Sequence, residues 1–160
     1  MYPVAPRTAN GRSRVKWAED TVAAVEGRRF EYAAAVDRAG RISAEGRTPV
    51  PVGDEWKPEH LVLAGLARCT LASLTYHARR IGLDLSASAS SAGVVTKREE
   101  DDRYAFVEID CRLEVELERE LPGDELHALV TKAERDCFVG ASLTAKPSYR
   151  WRVNGSDYSY

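Results

Sequence analysis

Cysteine is scarce in this chain and is not spaced for metal. Only Cys69, Cys111 and Cys137 occur, with no CxxC pair, and the histidines His60, His77 and His127 are dispersed. That argues against a structural zinc site. An odd count without short spacings also argues against a secreted disulfide framework. Charge of one sign is missing too. The 23 basic and 25 acidic residues leave a net charge of −2, which gives no electrostatic basis for binding nucleic acid or an anionic membrane. No apolar run reaches bilayer-spanning length. The opening Met1–Arg7 stretch has no apolar segment of the secretory kind, so the cytoplasm is the expected compartment. GxGxxG, P-loop and GxSxG motifs are absent, and with them the usual nucleotide and serine-hydrolase signatures.

What is present suffices for one ordinary domain: 160 residues, 44% of them hydrophobic. Residues 1–13 are rich in Pro, Arg, Asn and Gly and read as a flexible tail. Strands are expected over Arg14–Glu26, Arg28–Val36 and Arg41–Ala44, turning at Gly27 and at Asp37–Gly40. Gly46, Pro49, Pro51, Gly53 and Asp54 make residues 46–57 a loop. Asp54 or a neighbour is placed to cap the helix that follows, and Pro58 suits its first turn. From Pro58 to about Arg80 there is no internal Gly or Pro except Gly65, and few positions in the middle are polar, which predicts a buried central helix. Gly82 ends it. Gly65 inside it costs about 1 kcal/mol relative to Ala and predicts close packing against another backbone.

A strand over 83–97 and a hairpin turn over Lys97–Arg103 come next. From Ala105 to Leu117 apolar residues then alternate with Glu, Asp and Arg, which is a strand with one buried face. A helix over 123–136, a strand over Leu143–Val153 and a polar tail over 156–160 complete a single domain spanning 14–155. The expected class is α+β, with antiparallel sheet packed around a long central helix.

The cysteines differ by setting. Cys111 lies on the apolar face of the alternating strand and reads as a small buried hydrophobe. Cys69 lies in mid-helix, where composition alone suggests core filling. Cys137 falls at a helix C-terminus, the wrong end of the dipole for a thiolate; if reactive, it suits a second step better than a first attack. Peroxide chemistry needs one thiol ionised near neutral pH, for which an arginine held by a carboxylate is the simplest device. A second thiol then condenses with the sulfenic acid to form a disulfide.

The segment Lys57–Cys69, with Pro58-Glu59 opening the helix and Cys69 ten residues after the Glu, resembles the signature of the OsmC/Ohr family. Lys132–Leu143 around Cys137 looks like the second cysteine motif of that family, and Tyr149–Gly155 looks like its ending. Arg38, in Asp37-Arg38-Ala39-Gly40-Arg41, falls where Ohr-type members carry an activating arginine, with Arg41 and Arg47 as nearby competitors. The resemblance covers about residues 28–155. It departs from the pattern at Phe138, where a proline often stands, at Gly140, where many members have serine, and in the shorter loop over 46–57.

The resemblance implies an intertwined homodimer with interfacial sites. It also implies reduction of organic hydroperoxides, with electrons from a dithiol such as dihydrolipoamide and no metal or flavin. Cys69 would be the peroxidatic thiol, Cys137 the resolving thiol, Arg38 the thiolate's partner and Glu59 the clamp on that arginine. Ten helical residues rise about 15 Å, so Glu59 and Cys69 meet only through a bridging arginine or across a dimer. Without the resemblance, Glu59 complements a helix dipole and Arg38 is an ordinary turn residue. Trp56 and Phe138 could line an apolar substrate pocket or simply pack. The departures leave room for a non-catalytic dimer that binds an apolar ligand, or for a purely structural one.

Overall fold

The computed structural model describes residues 30–44, 47, 49, 50, 52, 53 and 55–159. The strand expected over Arg14–Glu26 lies outside them. In chain order the elements are β1 (Ala34–Val36), β2 (Ile42–Ala44), α1 (Pro58–Arg80), β3 (Leu85–Lys97), β4 (Tyr104–Leu117), α2 (Gly123–Arg135), α3 (Phe138–Ser142), β5 (Ser148–Val153) and β6 (Ser156–Tyr158). The class is α+β, as expected. One four-stranded sheet, in the order β3-β4-β5-β6, carries the helices, while β1 and β2 pair with each other as a separate hairpin.

Helix α1 forms as the pattern dictates. Pro58 sits in the first turn, and the His60 ring accepts the Lys57 N–H at 3.1 Å. Gly82 closes the helix at φ +64°, a conformation that costs glycine little. The buried side chains Leu66, Thr70, Leu74 and Ala78 recur every fourth residue and form one ridge. They pack on the inward face of β4, where Ile109, Cys111, Leu113 and Val115 are buried. Facing them across the β3–β4 ladder are the small residues Ala87, Ala89 and Ser91, which let the helix lie close to the sheet. Helix α2 contributes Leu129, Val130 and Ala133 to the same core.

Four features depart from the sequence expectation. First, β4 and β5 run parallel, so the sheet is mixed rather than antiparallel. The chain leaves β4 and crosses over through α2 and α3 to reach β5, and a parallel neighbour requires a crossover of that kind. Second, the last strand begins at Ser148 rather than Leu143. Residues 138–142, for which the sequence predicts no element, form a short helix, and Pro147 has no N–H to give to a ladder. Third, the expected tail contains β6, reached through a two-residue Asn154-Gly155 turn with both residues at positive φ, the geometry of tight hairpins. Fourth, a Cβ placed on Gly65 would meet nothing within 4 Å, so the predicted backbone neighbour is missing among the described residues. Strand β1 is also shorter than expected, beginning at Ala34.

Helix α1 is buried on one side only. Leu61, Val62 and Tyr76 are exposed. An open groove of about 810 Å³ runs along this side, lined by residues including Ala64, Arg68, Leu71, Ala72, Tyr76 and Arg80. The distal half of the β3–β4 hairpin likewise exposes Val94, Val95, Tyr104 and Val107.

Candidate active site

All three thiols collect where α1 passes the junction of α2 and α3. Cys69 is half-buried, whereas Cys111 and Cys137 are fully buried. Thr70, the residue after Cys69, is also fully buried. Its hydroxyl lies 3.0 Å from the Leu66 carbonyl and 3.4 Å from Cys137 Sγ. Cys137 Sγ accepts a second hydrogen bond, from the Gly140 N–H at 3.4 Å. The sequence placed Cys137 only at the end of a helix. In the fold it also caps the start of α3, and its sulfur therefore faces N–H donors.

The Cys69 and Cys137 side chains are close enough to interact directly. Burial pushes the Cys69 thiol above its ordinary value, against the pull of the Val139 N–H; the nearby Cys137 thiol pushes it higher still, and the Phe138 N–H pulls it down. No arginine is among the groups that dominate its ionisation. Burial also raises the Cys111 thiol, opposed by the Ser91 and Thr70 hydroxyls, and Cys111 is fully buried, as the strand pattern predicts. Cys111→Ala leaves a small cavity and should destabilise the fold by about 1–2 kcal/mol, measured by denaturant unfolding.

The chain around Cys137 is pinned from both sides. His77 on α1 meets the Asp136 carboxylate at 2.9 Å, and Arg135 meets the same carboxylate at 2.7 Å. Arg135, with His77, holds the Asp136 carboxyl below its usual range. Trp151 on β5 donates to Glu134 at 2.7 Å. The His77 contact ties the end of α2 to the helix that carries Cys69, and the Trp151 contact ties it to β5.

Arg38 and Glu59 do not join this cluster within one chain. Arg38 lies exposed in the turn between β1 and β2 and makes no ion pair among the described residues. Its competitor Arg41 is committed to Asp37, at 2.7 Å. Glu59 is exposed in the first turn of α1. Trp56 lines a shallow hollow with His60, Leu63 and Ala67, while Phe138 stacks on Phe30 with ring centroids 5.7 Å apart.

Comparison with known proteins sets this geometry in a family. The family model described as OsmC-like protein matches residues 51–152. The chain belongs to the OsmC-like family. Among solved structures this OsmC-like chain resembles an OsmC-like protein of unknown function from Vibrio cholerae, at 16% identity and TM-score 0.66, over 78% of this chain and 100% of that one. It also resembles an organic hydroperoxide resistance protein from Elizabethkingia anophelis, at 15% identity and TM-score 0.55, over 79% and 96%. A third likeness is to the organic hydroperoxide resistance protein OsmC from Legionella pneumophila, at 21% identity and TM-score 0.50, over 77% and 94%. At these identities the structures establish the shared fold. No curated protein matches the sequence.

Two residues of the cluster escaped the sequence reading. Thr70 carries a weak signal, since it is a polar residue in the apolar middle of α1. Tyr149 lies on the inward-facing side of β5 with Trp151 and Val153. Its hydroxyl would sit 2.6 Å from a Cβ on Gly140. No local pattern announces that contact, because β5 meets α3 only through the crossover.

Proposed function

We propose that this OsmC-like protein is a thiol-dependent peroxidase for organic hydroperoxides, with Cys69 attacking and Cys137 resolving. The observation that carries the reading is the direct approach of the Cys69 and Cys137 side chains, from residues far apart in sequence on α1 and at the start of α3. Membership of a family whose solved relatives include proteins named for organic hydroperoxide resistance supports the substrate class.

The Cys69 thiolate attacks the distal oxygen of the hydroperoxide. The O–O bond breaks, the alcohol leaves after taking a proton, and Cys69 becomes a sulfenic acid. Cys137 sulfur then bonds to Cys69 sulfur, the S–O bond breaks, and water departs with the Cys137 proton. A small dithiol such as dihydrolipoamide returns both thiols by exchange. A reducing cytoplasm suits the free-thiol resting state.

The dimer completes the site. Among the described residues, burial holds the Cys69 thiol up and no arginine is among the groups that chiefly offset it. The exposed apolar side of α1, open space at Gly65 and the bare β3–β4 tip are the surfaces a second copy would cover. In that arrangement Arg38 is brought to Cys69 and Glu59 holds Arg38. The purified protein should consume cumene hydroperoxide when supplied with a dithiol, and more slowly with a monothiol. Thiols inert to the hydroperoxide, together with co-purified lipid, would instead support an apolar-ligand-binding dimer, a reading favoured by the raised Cys69 thiol.

A further inference from the structure

We propose that Thr70, backed by Tyr149, is a positioning residue for the resolving step, turning its hydroxyl proton from the Leu66 carbonyl to Cys137 sulfur as that sulfur gains charge. The inference rests on the two-cysteine reading above and adds to it the group that prepares the second thiol.

A hydroxyl carries one proton and two acceptor sites. Thr70 Oγ1 stands 3.0 Å from the Leu66 carbonyl oxygen and 3.4 Å from Cys137 Sγ, so its proton serves only one of them at a time. The bland reading is a helical threonine bonding back to the carbonyl four residues earlier, a common way to satisfy a buried hydroxyl. That reading accounts for the first contact and leaves the second unused. While Cys137 is a thiol, the Thr70 hydroxyl gives its proton to the nearer acceptor, the Leu66 carbonyl. When Cys137 attacks the Cys69 sulfenic acid, negative charge develops on sulfur in a site with no exposure to solvent. Rotation of the hydroxyl then places its proton on the sulfur, beside the fixed Gly140 N–H.

Tyr149 completes the arrangement. Its hydroxyl is adjacent to Thr70 and sits over Gly140. Burial and the neighbouring Cys137 keep the phenol protonated, so it remains a donor to Thr70 oxygen after Thr70 has turned. Gly140 matters sterically, since a side chain there would crowd both the Tyr149 hydroxyl and Cys137 Sγ, at 2.6 and 3.4 Å. Atoms balance as before: the S–S bond forms, the S–O bond breaks, and the Cys137 proton leaves with the hydroxide as water. Thr70 and Tyr149 return unchanged.

The test is a single turnover of the full-length protein with one equivalent of cumene hydroperoxide. Sulfenic acid is trapped with dimedone, and disulfide is read by intact mass over a range of pH. Thr70→Val keeps the side-chain shape and removes the hydroxyl. Loss of a hydrogen bond to a charged sulfur should slow disulfide formation by about 10- to 100-fold. Sulfenic acid should form at the wild-type rate and accumulate, and the pH midpoint of resolution should rise. Thr70→Ser should restore both rate and midpoint, which a packing role would not predict. Tyr149→Phe should slow resolution in the same direction by a smaller factor, about threefold, and carries the test if the valine variant does not fold. Disulfide formation at the wild-type rate and midpoint in Thr70→Val, or in Tyr149→Phe where that variant carries the test, overturns the proposal. Failure of the wild type itself to form sulfenic acid would instead strike the underlying two-cysteine reading.

Discussion

Replacing Cys69 by serine should abolish dithiol-dependent hydroperoxide consumption, lowering the rate by at least about a thousandfold. Serine keeps the volume of the side chain and its place on α1, so the fold should unfold at a similar denaturant concentration. What disappears is the nucleophile: an alcohol in a half-buried helix position has no usable anion near neutral pH. The corresponding Cys137→Ser protein should behave differently. It should reduce one equivalent of hydroperoxide and then stop at a sulfenic acid, which further peroxide drives to irreversible oxidation. Activity retained in Cys69→Ser would remove the proposed mechanism altogether.

Arg38→Ala should have the second largest effect, and the effect should depend on pH. Within one chain the Cys69 thiol is raised by burial, so its thiolate fraction is small at neutral pH and grows as pH increases. An arginine brought alongside favours the thiolate and typically lowers such a value by one to three units, about 10- to 1000-fold in thiolate at neutral pH. Removing Arg38 should therefore slow sulfenic acid formation at neutral pH by about 10- to 100-fold, and the deficit should close as pH rises above the thiol's own value. The sign is fixed: a lost cation raises the thiol's pKa and moves the rate profile to higher pH. Stopped-flow oxidation across pH measures it. Arg41→Ala serves as the contrast. Its guanidinium is held by Asp37, so that variant should mainly loosen the turn between β1 and β2.

Much of the fold was legible because it rests on local periodicity. The alternation along β4 identifies its buried face from Ile109 to Val115, where Ile109, Cys111, Leu113 and Val115 are buried as that pattern requires; it fails nearer the hairpin tip, where a register shift leaves Val107 exposed and packs Phe106 against the core. The run from Pro58 to about Arg80, broken only by Gly65 and closed by Gly82, matches the bounds of α1. What escaped was non-local. The parallel pairing of β4 and β5 depends on a crossover through two helices, which no single segment signals. Helix α3 is too short to show a period, and Pro147 keeps the last strand from starting at Leu143.

The candidate site divides in the same way. Cys69 and Cys137 were legible from motif resemblance, and the fold brings them together. Cys137 follows the end of α2, as the sequence indicates, and the next helix also begins on it and supplies an N–H to its sulfur. Thr70 and Tyr149 acquire their roles only from tertiary contact. Arg38 and Glu59 stand apart from the thiols in one chain, as the rise of α1 between Glu59 and Cys69 requires.

The most direct measurement is peptide mapping of the full-length protein after one equivalent of cumene hydroperoxide, with free thiols alkylated before digestion. The account predicts a single intramolecular disulfide joining Cys69 to Cys137, with Cys111 recovered as an alkylated free thiol. Recovery of all three thiols unmodified, or a disulfide joining any other pair, would contradict it.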